Sequence, residues 1–118
     1  MDTLFENIVK ENGISYAVFD KHLVLVDCSD SFYIQFDNLS PKEEPLIWDI
    51  FPELIGVEAE VREIQAGKSE SFRLERISHL DQREDVHYYN LSIVRRDPRS
   101  EDVLCLLTDV TGQAQLEQ

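Results

Sequence analysis

The run Val103-Leu104-Cys105-Leu106-Leu107, which leads into Thr108-Asp109-Val110-Thr111, decides the fold. Its apolar residues follow one another without alternation, and a strand of this kind is expected to be covered on both faces. The tail at residues 112–118 is polar and favours a helix. The sequence therefore predicts a central strand that passes directly into an exiting helix.

Further segments rich in β-forming residues precede that strand and are separated by polar turns. Tyr89, Leu91 and Ile93 lie at alternate positions, which is the period of a strand with one better-buried face. Short turns favour antiparallel pairing, because a parallel pair needs a long crossover. The predicted strands are Ile14–Phe19, Leu23–Cys28, Glu70–Leu80, Val86–Arg95 and Asp102–Val110.

Helical segments lie before the first strand and between the second and third. Asn12-Gly13 is predicted to end an opening helix, Ser29 to cap a short helix over Asp30–Phe36, and Gly67 to follow a longer one that starts at Glu53. The predicted fold class is α+β, a five-stranded antiparallel sheet with the short helices and one longer helix on one face. The predicted divisions are a flanking helix at residues 1–13, the domain at 14–111 and the start of a further helix at 112–118.

Composition and charge restrict the number of domains, the partners and the cellular compartment expected for this chain. A chain of 118 residues fits one domain, and it has no apolar stretch of roughly 20 residues that would cross a bilayer. The net charge of −13 would repel phosphate backbones and anionic lipid, so we expect neither nucleic-acid binding nor membrane insertion. The acidic N-terminus lacks the features of a secretory signal, and two cysteines in apolar runs suit reduced thiols. We therefore expect a cytoplasmic protein, although a single disulfide stays open.

The order of these elements and the residues at their joints resemble the PAS family over about Ile14 to Thr111. Thr108-Asp109-Val110-Thr111 is similar to the Asp-Ile-Thr signature that precedes the signalling helix of that family. Ser29-Asp30-Ser31-Phe32 resembles the family's Asn-x-Ala-aromatic opening of its first core helix, and Ile50-Phe51-Pro52-Glu53-Leu54 resembles the entry to its central helix. Gly112 departs from the pattern, because an acidic residue commonly follows the signature.

The resemblance implies a small pocket between the inner face of the sheet and the central helix, and a signal that leaves through the terminal helix. Asp109 and Thr111 are the predicted relay residues. Asp109 would pair with a basic side chain, and Thr111 would bond the backbone near the first strand. The alternative is that both residues only cap the exiting helix, and the two roles can coexist. The candidate basic partners are Lys21, Arg95 and Arg96.

The pocket is predicted to be lined by side chains from both layers. His87 shares the phase of Tyr89 and Leu91, so it is the histidine expected to reach the pocket. Each candidate also has a structural interpretation, because pockets and cores draw on the same residue types. The candidates are Tyr33, Phe36, Trp48, His87, Tyr89 and Leu91.

No cofactor is predicted, although an unknown small ligand is possible. Haem-binding relatives use a histidine on the central helix, and Leu54 to Ala66 contains none. Photoactive flavin relatives use a helical cysteine, whereas Cys28 and Cys105 lie in predicted strands. Haem and flavin are therefore disfavoured, and the three histidines lack the spacing of a metal site.

Self-association is expected because the helices can cover only one face of the sheet. The opening helix carries an apolar stripe that matches the other face. We therefore predict a homodimer that uses this stripe and the outer face of the sheet. The stripe consists of Leu4, Phe5, Ile8 and Val9.

The function predicted from the sequence is a signal-input and dimerisation module of a larger protein, with an effector such as a histidine kinase or nucleotide cyclase elsewhere. One alternative is a structural dimerisation domain without a ligand. A less favoured alternative is a small enzyme on the same scaffold. The carboxylates of Glu58, Glu60 and Glu63 form a solvated helix face rather than a buried pair, so no catalytic residue is predicted.

Overall fold

The structure is a computed structural model that describes residues 3–112, apart from the side chains of Glu6, Val9 and Lys10. It contains a five-stranded sheet in the order β2-β1-β5-β4-β3, and every neighbouring pair is antiparallel. The predicted fold class is confirmed. The strands are β1 (Ile14–Phe19), β2 (Leu25–Cys28), β3 (Ser71–Leu80), β4 (Val86–Arg95) and β5 (Val103–Asp109).

The helices lie before β1 and between β2 and β3. Gly13, with a φ of 65°, follows the first helix, and Gly67, with a φ of 77°, follows the last one. Ser29 caps the second helix as predicted, because its hydroxyl accepts a hydrogen bond from the Phe32 amide at 3.3 Å. The helices are α1 (Thr3–Glu11), α2 (Asp30–Gln35), α3 (Ile47–Ile50) and α4 (Glu58–Gln65), with 3-10 turns at Pro41–Glu43 and Pro52–Leu54.

Two predicted boundaries are wrong by two or more residues, whereas bounds of α2, β3 and β5 differ from the prediction by a single residue. The central helix begins at Glu58 and not at Glu53. Pro52–Leu54 forms a separate 3-10 turn, and Gly56, with a φ of 106°, lies between that turn and the helix. The second strand begins two positions later than predicted. Leu23 has a left-handed φ of 63°, which is incompatible with extended strand backbone.

β5 lies at the centre of the sheet and has apolar side chains on both faces. Val103, Cys105 and Leu107 are fully buried in the main core beneath the helices. Leu104 and Leu106 belong to a separate outer cluster that also contains Tyr16 and other side chains from β1 and β4. The unbroken apolar run is therefore covered differently on its two sides.

α1 covers part of the outer cluster. The Phe5 ring meets Tyr16 of β1 edge to face, with 5.7 Å between the ring centroids. Leu4 and Ile8 on the same helix remain 71% and 50% exposed. Within residues 3–112, no helix is long and apolar enough to span a bilayer.

Candidate functional site

A cavity of about 250 Å³ lies between the C-terminal half of β3 and the turn that follows α3. Phe36, at the end of α2, contributes a third side of the wall. Six of the nine lining residues are apolar, and His79 and Glu53 are the ionisable ones. The lining residues are Phe36, Ile50, Phe51, Pro52, Glu53, Ile77, Ser78, His79 and Leu80.

A β-bulge in β3 sets which of its side chains reach the cavity. Phe72 and Leu74 pack against the core before the bulge, whereas Ile77 and His79 do so after it. The register with β4 shifts between Leu74 and Ile77, where Arg76 has a left-handed φ of 56°. A bulge adds one residue and so reverses which positions face inward. His79 therefore lines the cavity, although strict alternation from Phe72 would turn it outward.

His79 carries an unsatisfied polar atom at this cavity. Its Nε2 is buried and has no hydrogen-bond partner in the part of the chain that the structure describes. The ring packs on Phe36 with 4.6 Å between centroids, which fixes one of its faces. The carboxylate of Asp37 is close by, but its Oδ2 lies 3.7 Å from Nε2 and is therefore outside hydrogen-bond distance. Buried polar atoms are usually bonded, so this nitrogen marks a site with spare binding capacity.

The structure spreads the predicted pocket residues over several environments. Phe36 lines the cavity, and its ring centroid lies 5.5 Å from that of Tyr89. Tyr89 and Leu91 are buried in the core, Tyr33 is 40% exposed, and Trp48 packs against the rim of the core. Burial and then the charge of Asp109 raise the pKa of Tyr89 to about 12, so its hydroxyl stays protonated at neutral pH.

His87 lies on the same face of β4 as Tyr89, as its phase predicts, with 6.4 Å between the two rings. It does not line the cavity described above, because its Nε2 lies 2.8 Å from Oδ2 of Asp81 in the β3–β4 turn. That hydrogen bond, followed by those from the turn amides, holds the pKa of Asp81 below its usual value. His87 is the direct cross-strand partner of His79, which is the histidine that reaches the cavity.

Nothing in the sequence marks His79 as a site residue. Its spacing from the other histidines carries no metal signature, and alternation along β3 points it outward. The inward-facing phase of β3 reverses at Arg76, which has a left-handed φ although it is not a glycine. The residue types in this strand therefore do not predict the reversal. In residues 3–112, no group of three or more His, Cys, Asp and Glu side chains is arranged to hold a metal ion.

Asp109 and Thr111 form a compact junction at the end of β5. Oδ1 of Asp109 accepts hydrogen bonds from the backbone amide of Thr111, at 2.9 Å, and from its hydroxyl. The Thr111 hydroxyl oxygen accepts from the backbone amide of Tyr88 at 3.1 Å, and the Val110 amide donates to the Tyr88 carbonyl at 2.8 Å. The junction therefore fastens the start of the exit segment to β4.

Two details of the predicted relay are corrected by these contacts. Thr111 bonds the backbone of the fourth strand and not of the first, because β4 is the neighbour of β5 on that side at this level. Within residues 3–112, no ion pair joins Asp109 to Lys21, Arg95 or Arg96. Arg95 donates to the Ser100 carbonyl at 2.6 Å, and Arg96 lies 3.3 Å from the Asp102 carboxylate. The rest of the predicted exit helix lies outside the described residues.

Both cysteines are free thiols. Cys105 is completely buried in the main core, and burial raises its pKa well above the usual value. Burial, aided by the charges of Asp27 and Asp30, also raises the pKa of the half-buried Cys28. Thiolate is the reactive form of cysteine, so neither side chain is set up as a nucleophile.

Comparison with known proteins identifies the fold. No family model and no curated protein matches the sequence. A domain of a sensory box sensor histidine kinase/response regulator from Geobacter sulfurreducens superposes with a TM-score of 0.62 at 15% identity, over 92% of this chain and 98% of that one. The PAS domain of an HTR-like protein from Haloarcula marismortui gives a TM-score of 0.60 at 13% identity, over 92% and 96%.

The VqmA dimer of Vibrio cholerae, described in the absence of its target DNA, is also similar. It gives a TM-score of 0.66 at 12% identity and covers 97% of this chain but only 54% of the VqmA chain. These likenesses at low identity establish the fold. The chain is a PAS-fold domain, which confirms the resemblance seen in the sequence.

Proposed function

We propose that this chain is the signal-input and dimerisation module of a larger signalling protein and has no catalytic activity of its own. The similarity to a sensory box domain of a histidine kinase, over nearly the whole of both domains, supports this role. The single observation that carries the proposal is the junction at Thr111. There one side chain ties the exit of the central strand to the backbone of its neighbour.

This junction supports a relay because its bonds span two strands. Thr111 contacts Tyr88 near the start of β4, and β4 pairs along its length with β3, whose C-terminal half lines the cavity. A ligand that moves β3 against the helices would therefore alter the support of the exit segment. Asp109 also caps the first turn after β5, so the capping and relay roles coexist at one residue.

The outer face of the sheet supports self-association. Its apolar cluster is covered in part by Phe5, while Leu4 and Ile8 of the same helix stay exposed to solvent. A second copy that packs α1 and the outer cluster against their counterparts would bury both sets of side chains. The same contacts would serve a purely structural dimerisation domain, which is distinguished from a sensor by the absence of a ligand.

The charge of the chain bears on its other partners. VqmA has a DNA target, but this chain matches only about half of VqmA, and its own net charge of −13 would oppose DNA binding. We propose that the chain acts in the cytoplasm, without nucleic acid, haem or flavin. The effector would lie in another part of the full-length protein.

The relay is tested by using residues 1–118 as the input domain of a histidine kinase chimera and measuring autophosphorylation. Thr111→Val removes the hydroxyl that bonds Tyr88 and Asp109, and we expect kinase output to change at least threefold. Thr108→Val is the matched control, because it makes the same chemical change at an exposed position of β5 and is expected to stay within twofold. Equal output from both variants would count against the relay.

Ligand sensing is tested by native mass spectrometry of the freshly purified chain, followed by a thermal-shift screen. A sensor retains or gains a small molecule, and a ligand of the native state must raise the melting temperature. A dimer that carries no ligand and responds to none would support the structural alternative.

A further inference from the structure

The free Nε2 of His79 constrains what the cavity can bind. A buried nitrogen without a partner has lost its hydrogen bond to water and gained none in exchange. The Asp37 carboxylate, 3.7 Å away, is too distant to complete the bond itself. The separation allows one oxygen or nitrogen atom to bridge both groups at about 2.8 Å, once a small movement of the side chains uncovers the buried Nε2. The pair is therefore spaced to hold one small polar group.

The chemistry of the pair favours a group that donates a hydrogen bond. An ionised carboxylate only accepts hydrogen bonds, so an atom that bridges to Asp37 must bring a proton. Glu53 is the carboxylate in the cavity wall, Asp37 lies outside the wall beside His79, and the chain carries a net charge of −13. An anionic ligand would meet repulsion from both carboxylates. Hydroxyl and amino groups meet these requirements, and a carboxylate does not.

The remainder of the wall selects an apolar body. Phe36, Phe51 and Ile77 line it, and the first of these packs directly on the His79 ring. The volume of about 250 Å³ lies below the range of roughly 300–1,000 Å³ that holds drug-sized ligands. The occupant is therefore a compact molecule.

We propose that the cavity beside His79 binds a small apolar molecule through a hydroxyl or amino head group placed between His79 and Asp37. This inference rests on the proposed sensory function and names the class of its ligand. The bulge at Arg76 is what presents His79 to this ligand, because it turns the end of β3 inward.

The test uses matched probes with one aromatic body, namely benzyl alcohol, benzylamine, benzoate and toluene. Binding to the purified 118-residue chain is measured by chemical-shift titration at pH 7.5. We expect benzyl alcohol and benzylamine to bind at least tenfold more tightly than benzoate, with shifts at Phe36, Ile77 and His79. Benzoate binding as tight as that of the alcohol would overturn the proposal, and so would a lack of binding by all the probes.

Variants separate the polar contact from the apolar one. His79→Phe keeps an aromatic ring against Phe36 but removes the nitrogens. The variant should bind benzyl alcohol five- to tenfold more weakly than the wild type and should bind toluene with an affinity within twofold of the wild type. His22→Phe makes the same change at an exposed turn and should alter neither probe. Unchanged binding of the alcohol by His79→Phe would contradict the assignment.

A second variant keeps the test valid if His79→Phe does not fold. Asp37→Asn suits the left-handed φ of 60° at this position, because asparagine tolerates that conformation. Loss of the charge should raise the affinity for benzoate at least threefold, and no gain would count against the proposed repulsion. If the probes bind in this pattern but Thr111→Val does not change the output of the kinase chimera, only the relay is overturned. Failure of the probes with a responsive chimera would overturn only the ligand assignment.

Discussion

The two faces of β5 have similar residues and different surroundings. On the inner face, Cys105 and Leu107 are sealed beneath helices of the same chain. On the outer face, Leu106 is half-buried beneath a single helix, α1, and Leu4 of that helix is itself exposed. An apolar strand face can therefore be sealed within the chain, like the inner face, or be left partly exposed, like the outer face. Unbroken hydrophobicity alone does not say which.

The largest expected effect comes from the inner face. Leu107→Ala should cost about 3 kcal/mol of unfolding free energy, because truncation of a buried leucine leaves a cavity in a close-packed core. Leu106→Ala, the adjacent leucine on the outer face, should cost about 1 kcal/mol, since it is only half-buried. Urea denaturation of both variants measures the difference. Equal losses would show that the two faces contribute alike.

An intermediate effect is expected where α1 meets the outer face. Phe5→Ala removes the ring that packs on Tyr16 and should lower stability by about 1–2 kcal/mol, less than for a fully buried phenylalanine. If the outer face is shared between two copies, the melting temperature of the wild-type chain rises with protein concentration, and this dependence weakens in the variant. A melting temperature that is independent of concentration in both proteins would contradict the shared interface.

The smallest effect is expected at the β3–β4 turn, where Asp81 and His87 form a hydrogen bond. The pKa of Asp81 is lowered mainly by its hydrogen bond from His87. The contact therefore contributes its full stability above the pKa of an unfolded aspartate. That stability is lost as the pH falls through the lowered pKa of the folded state. His87→Gln should therefore raise the pKa of Asp81. Carboxyl chemical shifts followed through an acid titration measure the change, and an unaltered pKa would assign the effect to the turn amides.

Much of the sheet is predictable from the sequence because its signals are local. The bounds of β1 and β4 are as predicted, since turn residues flank clear runs of β-forming side chains. The Ser29 cap and the central position of β5 likewise follow from nearby residues. These features need only the immediate neighbours of each residue.

The site was less predictable because it depends on departures from regular backbone. The left-handed Arg76 reverses the phase of β3 and brings His79 to the cavity, where the sequence had favoured His87. The partner of Thr111 lies on β4, which follows from strand register and not from spacing along the chain. The start of the central helix shifted for a similar reason, because Gly56 interrupts the apolar repeat.

Sedimentation velocity at micromolar concentration tests most directly whether the outer face of β5 is completed by a second copy. The wild-type chain should sediment at twice its mass of 13.7 kDa, and Leu4→Asp should sediment as a monomer. Ile55→Asp places the same charge at another exposed aliphatic side chain and should remain a dimer. A wild-type monomer, or a dimer unaffected by Leu4→Asp and by deletion of residues 1–12, would contradict this account.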